Sequence, residues 1–349
     1  FTIQIYNKKM RYPNFLDKNG TIGFVSPSFG CAIEPYKTAF ANALKKFEDM
    51  GYKTNVGPNA YKCDGIGIST NPADCGSEFM DYYSSKDNDI LISCGGGELM
   101  CETIDNIDFE KIKEADPKWF MGYSDNTNLT FLLATLCDVA AIYGPCAATF
   151  GMEPWHDALG DAFGILQGNV STVSNYDKWE RESIKDDTNP LVPYNVTEDN
   201  VMKAFPEKSF TMQGRLLGGC LDCLSNLAGT KYDKVAEFNE KYKEDGVIWF
   251  IESCDLSVMD MRRVMWKLDR AGWFKYAKGF IIGRPYRYGE EFMGLDQYSA
   301  VMGIIEKYNV PVIMDADVGH LPPMMPLVTG SLSTVTYEDN NLRINMEYK

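Results

Sequence analysis

The sequence is 349 residues long, 45% hydrophobic and 24% charged, with 49 acidic against 34 basic residues and a formal net charge of −15. That length predicts two domains of ordinary size, with enough apolar residues for two cores. The acidic balance speaks against nucleic acid and anionic membrane as partners, since both need a basic footprint, and no apolar run approaches the roughly 18 residues that span a bilayer.

Residues 21–28 read as a buried strand closed by a turn, and residues 34–50 carry helical spacing (Phe40, Leu44, Phe47) that stops at Gly51, a good residue for a helix end. A short strand over 53–56, a helix over 71–86 opening with Asn-Pro, and a strand over 89–94 running into Gly95-Gly96-Gly97 follow. After a further helix come a strand over 119–123, a helix whose apolar pattern begins at Leu129, and a strand over 140–143. Strands alternating with helices predict an α/β fold, a parallel sheet with helices on both faces whose ligand site lies at the carboxyl ends of the strands. Ser26, Gly95–Gly97 and Ser124 fall at that edge.

Residues 167–210 are rich in Asn, Asp, Lys and Pro and read as a linker or covering loop between a first domain, 1–166, and a second, 211–349. The second unit shows a Gly218-Gly219 turn opening a Leu-rich helix, then the apolar strand 247–251 ending at Glu252. A helix over 257–273, a strand over 279–283, a helix over 295–308 and a strand over 310–314 come next, and the chain alternates like antiparallel strands from Met325 onward. No internal repeat is visible. The ten cysteines are scattered, and several (Cys94, Cys137, Cys146, Cys254) sit in apolar patterns. Reduced thiols in a cytoplasmic protein are therefore expected rather than a disulfide framework. No signal-peptide pattern is predicted, while the start at Phe1 leaves a removed leader open. Cys220-x-x-Cys223 is the only tight pair. With no second pair and no histidine beside it, no metal is expected. The Asn-x-Ser/Thr sequons at Asn19, Asn128, Asn169 and Asn195 read as chance matches.

The stretch Trp119-Phe120-Met121-Gly122-Tyr123-Ser124-Asp125-Asn126 reads as strand, tight turn, helix, with Ser124 at the turn. A serine there projects from the sheet edge beside the free N–H groups of the next helix, donors suited to an oxyanion. Ordinary helix capping explains the same residues, and Asn126 stands where a Gly-x-Ser-x-Gly elbow has its second glycine. The glycines at 95–97 lack the third glycine of a dinucleotide fingerprint, but they let a backbone N–H approach a substrate oxygen, beside the N–H of Asp125. Only two histidines exist. His320 follows a buried strand and precedes Pro322-Pro323, a placement that suits a general base as well as a structural role, whereas His156 lies in a polar helix start and reads as surface. Glu252 closes a strand of five apolar residues, placed either to orient a histidine or to pair with Arg262 or Arg263.

Together, GYSD at 122–125, GGC at 218–220, WFIES at 249–253 and GHLPPMMPLVTG at 319–330 resemble the LD-carboxypeptidase family of serine peptidases, nearest the microcin C immunity branch. The likeness runs from Thr21 to the C-terminus. It implies a Rossmann-like N-terminal domain, a mixed-sheet C-terminal domain, a site in the cleft between them, and a homodimer. It also implies Ser124 as nucleophile, Glu252 as acid and His320 as base, with Gly96 and Asp125 as oxyanion donors and no cofactor. Two departures, Glu98 after the triglycine turn and Cys220 in place of a frequent asparagine, bear on substrate binding. Trp179, in a polar loop, stacks on an aromatic substrate group or packs at the domain junction. The implied substrate is a small peptide, such as the murein tetrapeptide of peptidoglycan recycling, or an aminoacyl nucleotide of the microcin C type. A two-lobed binding protein that has lost catalysis is the competing reading.

Overall fold

A computed structural model of the chain describes residues 9–348, so residues 1–8 and 349 of the expected domains lie outside the described residues. The first half builds strands β1 (Thr21–Val25), β2 (Lys53–Val56), β3 (Ile90–Ser93), β4 (Trp119–Gly122) and β5 (Ala141–Tyr143). Between and after them run helices α1 (Tyr36–Asp49), α2 (Pro72–Ser84), α3 (Met100–Thr103), α4 (Phe109–Glu114), α5 (Thr127–Cys137) and α6 (Asp157–Leu166). The five strands pair in parallel in the order β5-β4-β3-β1-β2. Strands β1, β3, β4 and β5 are almost wholly buried, as expected of a sheet covered by helices on both faces.

The second half forms an eight-stranded mixed sheet in the order β6-β18-β17-β10-β11-β12-β15-β9. Its strands are β6 (Thr172–Ser174), β9 (Lys203–Phe205), β10 (Phe210–Cys220), β11 (Val247–Glu252), β12 (Ala277–Gly283), β15 (Val312–Ala316), β17 (Leu332–Glu338) and β18 (Asn341–Glu347). Two small hairpins, β7 (Lys178–Trp179) with β8 (Glu198–Asp199) and β13 (Glu291–Phe292) with β14 (Leu295–Asp296), stand outside it. Helices α7 (Leu221–Leu227), α8 (Val235–Lys241), α9 (Val258–Arg270) and α10 (Gln297–Ile305) link the parallel strands. The terminal alternation is an antiparallel hairpin, β17 against β18, with every second residue buried.

Three features differ from the sequence reading. Strand β16 (Leu327–Thr329) leaves the second half and pairs antiparallel with β5, so the first sheet has six strands and is not wholly parallel. Residues 167–210 supply β6 and β9, the two edge strands of the large sheet, besides loop. Gly218 and Gly219 form no turn; they end strand β10, which runs through Cys220 directly into α7. Gly219 is needed there because a Cβ would lie 2.6 Å from the Thr127 side chain, at a φ of +140° that disfavours other residues. That close approach brings α5 of the first half against β10 of the second, and Cys220 N–H donates to Thr127 Oγ1 at 2.9 Å across it.

Candidate active site

Strand β4 ends at Gly122, and Ser124 follows with φ +62°, the left-handed turn that lifts its side chain above the sheet edge. The residue in the place of a second glycine has its own task. Asn126 Nδ2 donates to Gly95 O at 2.8 Å and to Tyr123 O at 3.0 Å, tying the triglycine turn to the serine turn. Gly96 thereby lies beside the serine, the position of its missing Cβ being 3.5 Å from Ser124 Oγ. The Asp125 carboxylate faces inward, accepting from Ser28 Oγ at 2.5 Å and the Met100 N–H at 2.8 Å, and burial pushes its pKa up to about 6. Only the backbone of Asp125 is left to face a substrate.

Glu252 closes β11 and is 1% exposed. Neither expected arginine reaches it: Arg263 pairs with Asp260 and Arg262 donates to Ser299 O. Instead Glu252 Oε2 lies 2.9 Å from His320 Nδ1, and His320 Nε2 lies 2.8 Å from Ser124 Oγ. A carboxylate can only accept, so Nδ1 carries the proton and Nε2 is free to accept from the serine hydroxyl. Gly319, at φ +119°, permits the approach, since a Cβ there would sit 2.9 Å from Glu252. Burial works to lower the His320 pKa, but the Glu252 charge and the Cys254 thiol against the ring outweigh it and hold the imidazole well above its ordinary value.

Two supports were invisible in the sequence. Under the His320 loop, Arg284 donates to Leu321 O and Asp315 O and pairs with the fully buried Asp317, which also accepts from the Tyr176 N–H and Asn200 Nδ2. The second is Tyr143, whose hydroxyl contacts Glu252 Oε1 at 2.5 Å and the Ser124 N–H at 3.1 Å. In the sequence it stands only as the last residue of the strand read over 140–143.

The remaining candidates separate. Glu98 is exposed at the rim, where burial, then the nearby Asp255 and Asp222, raise its pKa and His320 lowers it. Cys220 is 2% exposed with its thiol 3.4 Å from the Asp222 carboxylate, behind the site. Trp179 is 4% exposed: Nε1 donates to Asp199 O, Tyr288 packs edge-on at 5.0 Å, and the Arg284 guanidinium lies 4.9 Å over its ring. In this structure the indole is packed against its own chain. Trp179→Ala is therefore expected to cost about 3–5 kcal/mol of stability and to reduce turnover of nucleotide and peptide substrates equally; a loss confined to nucleotide substrates, at unchanged unfolding temperature, would contradict it. His156 caps α6, its Nδ1 accepting from the Ala158 N–H at 3.1 Å. All ten cysteines are free. Among the described residues no three His, Cys, Asp or Glu converge to hold a metal, and no helix is long and apolar enough to cross a membrane.

A cavity of about 370 Å³ opens over Ser124 and His320, lined by Gly95–Gly97 and by apolar side chains including Phe29, Tyr36 and Ile68. A second cavity of about 280 Å³ is lined by Arg181, Glu182, Arg287, Tyr288, Leu321 and Tyr286, whose ring lies 6.4 Å from that of His320.

The chain is 25% identical over 337 residues to the microcin C7 self-immunity protein MccF of Escherichia coli, covering 94% of each. A solved structure of an MccF mutant with adenosine monophosphate superposes with a TM-score of 0.80 at 23% identity, over 97% of this chain and 99% of that one. An MccF-like protein from Bacillus anthracis gives 0.78 at 22% identity, over 96% and 99%. These solved structures establish the two-domain fold. The LD-carboxypeptidase N-terminal domain matches residues 22–144 and the LD-carboxypeptidase C-terminal domain residues 213–335, together more than half the chain. With both domains matched in order, the protein belongs to the LD-carboxypeptidase family of serine peptidases.

Proposed function

We propose that the chain hydrolyses an amide bond in a small aminoacyl conjugate through an acyl-enzyme on Ser124, without a metal. The observation that carries this reading is the continuous line from Ser124 Oγ through His320 to Glu252, at 2.8 Å and 2.9 Å. His320 Nε2 takes the hydroxyl proton as Oγ attacks the carbonyl carbon, and Glu252 holds the imidazolium that forms. The N–H groups of Gly96 and Asp125 receive the oxyanion. His320 then returns the proton to the leaving nitrogen as the C–N bond breaks, and water hydrolyses the ester by the same steps.

Between the two substrates of this class, the aminoacyl nucleotide is supported over the murein peptide. MccF structures hold aspartyl sulfamoyl adenosine and glutamyl sulfamoyl guanosine. In this chain the cavity of Arg181, Glu182, Arg287 and two tyrosines, where Arg287 pairs with Glu290, offers Arg181 to a phosphate-like linkage and its rings to a base. A homodimer and a cytoplasmic setting accompany the reading, on the family resemblance and the free thiols.

A fluorophosphonate probe followed by intact-mass analysis tests the nucleophile. A single adduct lost in Ser124→Ala is expected, and no adduct would favour a catalytically silent binding protein. Incubation with an aminoacyl sulfamoyl adenosine and with a murein tetrapeptide separates the substrates; release of D-Ala alone would reverse the preference. Activity is expected to be unchanged by a chelator; loss restored by added zinc would overturn the mechanism.

A further inference from the structure

We infer that Tyr143 is a positioning residue that locks the nucleophile turn to the triad acid through its hydroxyl, an inference that rests on Ser124, His320 and Glu252 acting as proposed above. Tyr143 ends β5, pairs across the sheet with Gly122, and is fully buried, its ring 5.4 Å from Phe250 and 6.3 Å from Tyr123. Its partners decide where its one proton goes. A backbone N–H cannot accept and an ionised carboxylate cannot donate, so the phenol donates to Glu252 Oε1 and accepts from the Ser124 N–H.

Three consequences follow from that assignment. Both oxygens of a buried carboxylate are directed to groups of the site, Oε2 to His320 and Oε1 to Tyr143, which fixes the plane in which it meets the imidazole. The Ser124 N–H is turned toward the phenol and removed from the oxyanion donors, leaving that role to Gly96 and Asp125. Finally, one hydroxyl spans the first domain, which carries Ser124, and the second, which carries Glu252. A core tyrosine kept only for packing would need none of this, because Phe250 and Tyr123 already satisfy its ring.

The test is the pH dependence of fluorophosphonate inactivation, which reads Ser124 reactivity without needing the natural substrate. Charged and titratable groups facing His320 are Glu252, Cys254 and Glu98, with the Tyr123 and Tyr286 rings beside it; Glu252 and Cys220 face Tyr143. Tyr143→Phe removes only the hydroxyl and leaves the ring and these groups in place. It is expected to slow the plateau rate roughly 10–100-fold, the loss of one hydrogen bond to a buried charge. The acid limb should move to higher pH, because a carboxylate stripped of its donor pulls harder on the imidazolium. A fluorinated tyrosine at 143, which keeps the shape and donates more strongly, should move the limb the opposite way and serves if the phenylalanine variant folds poorly. A plateau within twofold and an unmoved limb in both variants would overturn the role of Tyr143 alone. A wild-type protein inert to the probe would overturn the serine mechanism and this role with it.

Discussion

Ser124→Ala is expected to lower kcat by roughly 10⁴–10⁶ while leaving the fold intact, as removal of a triad nucleophile does elsewhere. The fold should tolerate the change because the hydroxyl bonds to His320 alone among the described residues and the methyl group fits the same space beside Gly96. Its loss should cost less than about 1 kcal/mol of stability. The turn itself is held by other groups: the Asn126 amide on Gly95 O, the buried Asp125 carboxylate, and Tyr143 on the backbone N–H. Residual turnover would come from the oxyanion donors and binding alone. Measuring kcat on the hydrolysed conjugate, with circular dichroism to establish folding, decides the matter. A folded variant within tenfold of wild type would sink Ser124 as nucleophile.

The parts of the site legible in the sequence are those where a polar residue interrupts an apolar strand. Trp119–Gly122 and Val247–Glu252 are continuous buried runs, so the residues that end them had to emerge at a sheet edge, where ligands bind. His320 was legible by scarcity, being one of two histidines. What stayed hidden depends on contacts distant in sequence. Tyr143 is only the end of a short strand in the sequence until its hydroxyl is seen to reach Glu252, 109 residues away. Arg284 and Asp317 look like surface charges, and only the fold shows them pairing under the His320 loop. The surroundings of Trp179 stayed hidden likewise, since its polar neighbours in sequence conceal Tyr288 and Arg284 in space. The antiparallel alternation from Met325 covers β16, but its pairing with β5 stayed hidden because a chain crossing back to the first sheet leaves no local trace. Gly218 and Gly219 read as a turn by composition, whereas they are there because Phe250 and Thr127 leave no room for a Cβ.

His320→Ala is expected to abolish turnover, with a loss of the order of that for Ser124→Ala, while His156→Ala leaves kcat/KM within a few-fold of wild type. A serine hydroxyl is almost fully protonated near pH 7 and needs an adjacent base, and His320 Nε2 stands 2.8 Å from it. His156 is occupied otherwise. Its Nδ1 accepts from the Ala158 N–H at the start of α6, and its ring lies between Tyr176 and Tyr194. Losing that cap should cost about 0.5–2 kcal/mol of stability and no chemistry. The pH profile separates the two as well. Burial lowers the pKa of His156, the opposite direction to that of His320. His320 is held well above the ordinary imidazole value, burial opposing the charge but Glu252 and Cys254 prevailing. Protonated His320 cannot accept the serine proton, so kcat/KM should fall as pH drops through a limb lying above about 6.5. Glu252→Gln removes the main source of that upward shift. The limb should then move to lower pH even as the rate falls by several orders of magnitude, because the imidazolium formed during attack loses its counter-charge. A limb unmoved by Glu252→Gln, or an inactive His156→Ala beside an active His320→Ala, would show that another pair of groups carries the proton.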